Sequence, residues 1–302
     1  MERADVVIIG AGPAGVTAAI YALRSGCSAI IIEKTMVGGQ VAICTDIRNY
    51  PGIDHLDGLK WSTDTKRHVE ELGGKFVFDE VIEIDDENKE LVLTKGRIGY
   101  NALVLAMGAK PRKLGVPGED KFTGRGVSYC ATCDGGLYKD KDVVVVGGGN
   151  TAFEDAKYLA GVCKNVHMFI RKSAPRAVDG LQAEISSFKN VDIHYLTNLK
   201  EIEGDEKVTG VKFDTDGKLI SKKVDAVFMA IGRGPDTEMV QGIIGLDSTG
   251  YIITDNQMNT SKEGIFACGD VRVTTLRQIV TATADGALAG LAAIKYAKTH
   301  KG

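Results

Sequence analysis

The chain has no apolar run approaching the roughly 20 residues that a membrane-spanning helix needs. It also has no charge excess of the kind that nucleic acid recruits. Its 37 lysines and arginines stand against 40 aspartates and glutamates, a net charge of −3, so there is no basic footprint to read. The amino-terminal stretch MERADVVIIGAG does not read as a secretory signal. Its charges sit directly against a short apolar run, and glycines follow. The expectation is a cytosolic protein without a membrane partner. In a large cytosolic protein the six cysteines (Cys27, Cys44, Cys130, Cys133, Cys163 and Cys268) are not expected to form a structural disulfide framework. A close pair among them should instead be catalytic or metal-binding.

What is present is an ordinary globular balance, 44% hydrophobic and 25% charged, over 302 residues. That length exceeds what one compact core usually holds, so two domains are expected. The 37 glycines are the one excess, and they gather in short motifs. VVII (6–9) reads as a buried strand, 13–25 has helical spacing, and SAIIIE (28–33) is a second strand, which together make a βαβ unit. Residues 75–105 hold three strand-like runs, KFVFDEVIEI, KELVLT and YNALVLAM, that read as a β-meander. A second strand–turn–helix begins at DVVVVGGGNTAFEDAKYLAG (142–161), returns as a strand at NVHMFI (165–170), and is followed by further strand-rich sequence. The spacing from Gly10 to Gly147 is 137 residues, a weak internal repeat. Stretches 108–120 and 233–245 carry proline and glycine and flank the second unit. The fold class expected is α/β, with two dinucleotide-binding, three-layer (ββα) Rossmann-like domains, the second inserted into the first. The boundaries expected are 1–112 and 243–302 for the first domain and 113–242 for the second.

Gly10-Ala11-Gly12-Pro13-Ala14-Gly15 follows a strand and opens a helix. Glycines allow the tight turn and the close approach of a pyrophosphate, whose charge the helix N-terminus stabilises. Glu33 ends the next strand, the place for a carboxylate that binds a ribose 2′-hydroxyl. In the second loop, Gly147-Gly148-Gly149-Asn150-Thr151-Ala152, the equivalent position is Ile170, followed by Arg171 and Lys172 with Arg176 close by. Cations there favour a 2′-phosphate. The two loops therefore suit FAD and NADPH respectively. The bland alternatives are a common tight turn for the first loop and a solvated basic loop for the second.

Cys130-Ala131-Thr132-Cys133-Asp134-Gly135 precedes the second unit. Two thiols at this spacing can close a small disulfide ring and reopen it by exchange, and a helix start or a cation populates the thiolate. Asp134 is placed to protonate a leaving thiolate. A zinc site is the first alternative, but it usually needs four ligands. The other cysteines are solitary, and His55, His68, His167, His194 and His300 show no ligand spacing, so no metal is expected. Inert buried thiols are the second alternative. Cys27, Cys44, Cys163 and Cys268 read as small core residues.

The combination resembles the low-molecular-weight thioredoxin reductase family through nearly the whole chain: GAGPAG (10–15), GGQ (38–40), NYPG (49–52), CATCDG (130–135), GGGNTA (147–152), AIG (230–232), GD (269–270) and RQ (277–278). The resemblance implies FAD contacts from Gly10, Gly12, Pro13, Ala14, Gly15, Glu33, Gly39, Gln40, Asn49, Val81, Gly108, Asp270, Arg277, Gln278 and Ile279. It implies NADPH contacts from Gly149, Asn150, Thr151, Arg171, Lys172 and Arg176. Cys133 would lie against the flavin, Cys130 would attack a thioredoxin or thioredoxin-like partner, and the chain would be a homodimer. Four positions depart from the family pattern: Ile170 and Lys172, where Ile170-Arg171-Lys172 stands for His-Arg-Arg, Met107 for a threonine, and Ile279 for an alanine. A related enzyme using NADH, reduced ferredoxin or a deazaflavin as donor, or a glutaredoxin-like acceptor, is the alternative reading.

Overall fold

The computed structural model describes residues 2–44, 47, 49–215 and 217–300. Strand β1 (Glu2–Ile9) is apolar without alternation at its end because it lies centrally between two parallel neighbours and is buried there on both faces. Helix α1 (Pro13–Arg24) follows and returns the chain to β2 (Ala29–Glu33), parallel to β1. Between them Gly10 has φ of +101°, and a Cβ there would lie 2.4 Å from the Ala106 carbonyl oxygen, so no other residue fits this turn. Helix α2 (Gly58–Glu71) is capped by Asp57, whose carboxylate accepts the Lys60 N–H at 2.7 Å.

The run KFVFDEVIEI is two strands, not one. β3 (Lys75–Phe78) lies parallel to β2, and β4 (Val81–Asp85) is antiparallel to β5 (Glu90–Leu93). The break falls at Asp79, whose carboxylate accepts the N–H groups of Glu80 (2.8 Å) and Lys95 (3.1 Å) and so satisfies a turn instead of a ladder. β6 (Gly96–Leu105) pairs with both β5 and β1, giving the order β3-β2-β1-β6-β5-β4. The chain then leaves through β7 (Ala109–Pro111).

The second unit opens with the short helix α3 (Glu119–Phe122), strand β8 (Val127–Ser128) and the single turn α4 (Ala131–Asp134). β9 (Asp142–Val146), α5 (Asn150–Ala160) and β10 (Asn165–Phe169) form its βαβ core, with α6 (Asp179–Ser186) and β11 (Val191–His194) beyond. A meander of β12 (Thr197–Gly204), β13 (Val208–Thr215) and β14 (Lys218–Lys223) precedes β15 (Ala226–Met229). The sheet is parallel in the order β11-β10-β9-β15-β8. Alternation along β9 makes the layers. Val143 and Val145 pack on α5 through Ala152 and Phe153, while Val144 and Val146 pack on the meander through Leu199, Val211 and Phe213.

The chain leaves through β16 (Arg233–Pro235), which pairs with β7. It ends with β17 (Ile265–Ala267) beside β6 and with α7 (Ile279–Thr299) packed on α1. The two compact units are Met1–Lys110 with Gly234–Gly302, and Pro111–Arg233. Residues 234–242, expected in the second domain, belong to the first because Val240 is fully buried in its apolar core with Val7, Ile9 and Leu105. Residues 111 and 112 move the other way, and Arg112 donates its N–H to Gly232.

Candidate active site

In the first unit the glycine loop, the Glu33 strand end and the 38–40 loop converge. Pro13 fills the first helical position and Gly12 caps it, so first-turn N–H groups of α1 are left for a ligand. A side chain at Gly12 would meet nothing within 4 Å; that open space is where the pyrophosphate of a dinucleotide fits. Glu33 accepts the Ala11 N–H (2.9 Å) on one carboxylate oxygen and the Thr35 N–H (2.8 Å) and hydroxyl (3.0 Å) on the other. It therefore braces the loop as well as standing at the ribose position. Gly38 donates to the Ala11 carbonyl at 2.8 Å, which straps Gly39 and Gln40 to the glycine loop. Gln40 donates to Ala109 at 3.3 Å, next to Gly108.

A second set meets at the head of α7. Asn49 donates to the Gln278 side chain at 2.8 Å, and Arg277 stacks 4.0 Å over the Tyr251 ring and donates to the Asp270 carbonyl at 3.4 Å. Ile279 packs against Val41, Ile47 and Leu56. The side chain of Val81 lies in the sheet core, which leaves its backbone for any ligand contact. The sequence reading missed the Arg272–Asp285 ion pair, 2.8 Å and largely buried, with Asp285 also accepting the Gly269 N–H at 3.2 Å. This pair ties the Asp270 turn to α7.

In the second unit a cleft of about 330 Å³ lies at the carboxyl ends of the strands. Gly147, Gly148, Ile170, Arg171, Lys172 and Arg176 line it, and so does Arg112, which no motif marked. Arg176 donates its N–H to Gly148 at 2.6 Å, and Asn150 accepts the Val178 N–H at 3.0 Å, so the cationic loop folds back over the glycine turn. Gly149, Asn150 and Thr151 form the head of α5 beside it. Four cations around a cavity of this size suit an anionic ligand carrying more than one phosphate.

Cys130 and Cys133 are joined as a disulfide across α4, with Cα atoms 5.3 Å apart. Cys130 caps the turn. Its sulfur accepts the Cys133 N–H at 3.2 Å and lies 3.4 Å from the Thr132 hydroxyl, contacts that stabilise negative charge on that sulfur. Cys133 is exposed and Cys130 half-buried. Asp134 accepts from the buried Ser128 hydroxyl at 2.7 Å, and Ser128 in turn accepts the Cys130 N–H at 3.0 Å. Ser128 thus holds the acid next to the pair; its signal in the sequence is only its place at a strand end. Among the remaining cysteines Cys27, Cys163 and Cys268 are buried as expected, but Cys44 is exposed, because it ends a one-turn helix instead of entering the core.

Asp155 lies on the core-facing side of α5. Burial, and to a lesser degree Glu154, pushes its carboxyl up to about 7. Its unfolded form ionises near the ordinary value, so stability falls as pH rises from about 4 to 7 and is level above that, at a cost of a few kcal/mol. The substitution Asp155→Asn is expected to raise the thermal midpoint at pH 8, with the gain shrinking toward pH 4. Melting curves across that range check it; a gain independent of pH would contradict the titration.

With this geometry in place, comparison with known proteins is decisive at the level of family. Residues 4–286 match the model for pyridine nucleotide-disulphide oxidoreductases. The thioredoxin reductase of Listeria monocytogenes is 41% identical over 302 residues, covering 98% of this chain and 95% of that protein. The crystal structure of Lactococcus lactis thioredoxin reductase superposes with a TM-score of 0.91 at 35% identity, over 98% of this chain and 99% of that one. A ferredoxin-flavin thioredoxin reductase from Clostridium acetobutylicum is 30% identical with a TM-score of 0.55, over 99% of each chain. The chain belongs to the pyridine nucleotide-disulphide oxidoreductases and, within them, to the thioredoxin reductase family. It is an enzyme that acts on a disulfide. No helix among the described residues is long and apolar enough to cross a membrane.

Proposed function

We propose that the chain is a thioredoxin-disulfide reductase that draws electrons from NADPH through FAD and passes them from the Cys130–Cys133 pair to a thioredoxin-like protein. The single observation that carries this reading is the accessible disulfide with its held acid, in the same unit as a four-cation cleft. The glycine loop, Glu33, Gln40, Asn49 and the Asp270–Gln278 segment would hold FAD, and Arg171, Lys172 and Arg176 the 2′-phosphate of NADPH. Bound there, FAD supplies two-electron transfer between a nicotinamide and a disulfide. The N-terminus of α7, beside Asn49 and Gln278, would offer its positive dipole end to negative charge on a group held there.

Once reduced, the Cys130 thiolate attacks one sulfur of the partner disulfide and expels the other as a thiolate, which forms a mixed disulfide. Cys133 then attacks Cys130, closes the ring and releases the second partner thiolate, and Asp134 moves the proton. Exposure does not order the two sulfurs; the hydrogen bonds to Cys130 do. The nucleotide site and the Cys pair share one unit and one flavin, so turnover requires that unit to adopt two positions. We place the bend at the paired crossings β7 and β16, the two places where the chain passes from one unit to the other. Trapping a Cys130 mixed disulfide and solving its structure, with and without nucleotide, tests this; one orientation throughout would refute it. We also propose a homodimer, for which Val280, Leu288 and Leu291 on α7 offer an exposed apolar face.

The ferredoxin-flavin neighbour supports a second reading, in which the donor is reduced ferredoxin. Anaerobic mixing of the flavin-loaded enzyme with NADPH, NADH or reduced ferredoxin separates the two. NADPH is expected to bleach the flavin band within the turnover time, and an inert flavin would transfer the role to the other donor.

A further inference from the structure

Outside the redox machinery, the parallel pairing of β10 and β11 sets His167 opposite Asp192 and Phe169 opposite His194. The three side chains His167, Asp192 and His194 each bring one ligand-type atom to within 4.8 Å of the others. His167 Nδ1 lies 3.3 Å from Asp192 Oδ2. That Nδ1 and the Nε2 of His194 are buried and have no hydrogen-bond partner, and the His167 side chain is only 6% exposed. The Asp192 carboxylate is thus near His167 Nδ1 without hydrogen-bonding it, and two desolvated imidazole nitrogens lack the bonds that a native fold normally supplies. Spacing along the chain hid this set, since His167 and His194 are far apart in sequence and meet only across the sheet.

We propose that His167, Asp192 and His194 bind a divalent transition-metal ion, with Zn²⁺ the best fit. Zinc takes imidazole nitrogen and carboxylate oxygen at about 2.0–2.2 Å in tetrahedral array, which sets ligand atoms about 3.4 Å apart. The His167–Asp192 separation already matches this, and rotation of the His194 ring closes the rest. Burial holds both imidazoles below the ordinary histidine range, the Lys222 ammonium acting the same way, while Asp192 opposes the shift on both and Asp142 on His167. Both rings are therefore neutral at pH 7, the form that binds metal. Asp192, 65% exposed, leaves an entry from solvent and a fourth position for water. Lys222 repels a cation, so its replacement should tighten the site.

The test is calorimetric titration of the flavin-loaded, fully oxidised enzyme with ZnCl₂, in a Cys44→Ser background so that the thiol exposed at the surface does not compete. One equivalent is expected to bind. His167→Gln and His194→Gln should each weaken it by at least a hundredfold, and Lys222→Met should tighten it. The exposed Asp192→Asn is the variant least able to disturb folding and should weaken binding at least tenfold, with the flavin spectrum unchanged. X-ray absorption should show nitrogen and oxygen ligands only. Absence of binding in the parent protein, or equal binding in all four variants, overturns the proposal.

Discussion

Replacing Cys130 and Cys133 together with serine is expected to lower acceptor reduction at least about a thousandfold, a barrier increase near 4 kcal/mol, while nucleotide still reduces the flavin. Serine has no accessible anion near neutral pH and closes no ring, so neither attack on a partner disulfide nor resolution survives. The side chain volumes are nearly conserved, and Ser128 and Asp134 keep their hydrogen bond. The residues proposed to hold the flavin all belong to the first unit. The single variants sort the roles. Cys133→Ser should leave the Cys130 thiolate, still served by the residue 133 N–H, to capture the partner as a stable mixed disulfide. Cys130→Ser should capture little. Stopped-flow flavin reduction and a partner-trapping gel give both readouts. Turnover above a tenth of the parent rate in the double variant would assign the chemistry elsewhere.

Much of the architecture was legible because backbone constraint and burial write on the same residues. The uninterrupted valines of β9 and the apolar end of β1 could only be central parallel strands, and each runs into a glycine that the next helix requires. What escaped was structure fixed by polar side chains. Asp79 divides one apparent strand into two because its carboxylate, and not its hydrophobicity, makes the turn. α2 is held by the Asp57 cap and by surface pairs such as Lys60–Asp64, and Leu59, Trp61 and Val69 are too few apolar residues to mark it as a helix. β14, KLISKK, is an exposed strand whose register comes from its pairing with β13.

The candidate site divides in the same way. The glycine loops and the Cys-x-x-Cys turn are local, so their spacing carries their geometry. Arg112, Ser128 and the Arg272–Asp285 pair act at a distance in sequence: Arg112 reaches the cleft from the chain crossing, Ser128 from the end of β8, and Asp285 from the second turn of α7. The histidine set on β10 and β11 is the extreme case, since only strand order places one imidazole near the other.

The cationic cleft leads to the other large effect. Arg171→Ala combined with Lys172→Ala is expected to raise KM for NADPH about a hundredfold, with KM for NADH changed by less than about threefold and kcat with saturating nucleotide retained. A 2′-phosphate brings charge that only NADPH carries, and a hydrogen bond to a charged group contributes about 1.5–3 kcal/mol. Two such bonds in a cleft open to water give roughly 3 kcal/mol after screening, which is the hundredfold. Arg112 and the glycine turn at Gly147 and Gly148 would remain to hold the diphosphate that both nucleotides share, so NADH is spared. Lys172→Arg should move KM the opposite way, because a planar guanidinium grips two phosphate oxygens where an ammonium grips as a point charge. Steady-state kinetics with both nucleotides at two ionic strengths decide it: selectivity should rest on the NADPH term and weaken with salt. If both nucleotides lose equally, Arg171 and Lys172 serve the common diphosphate, and the preference for NADPH must come from elsewhere.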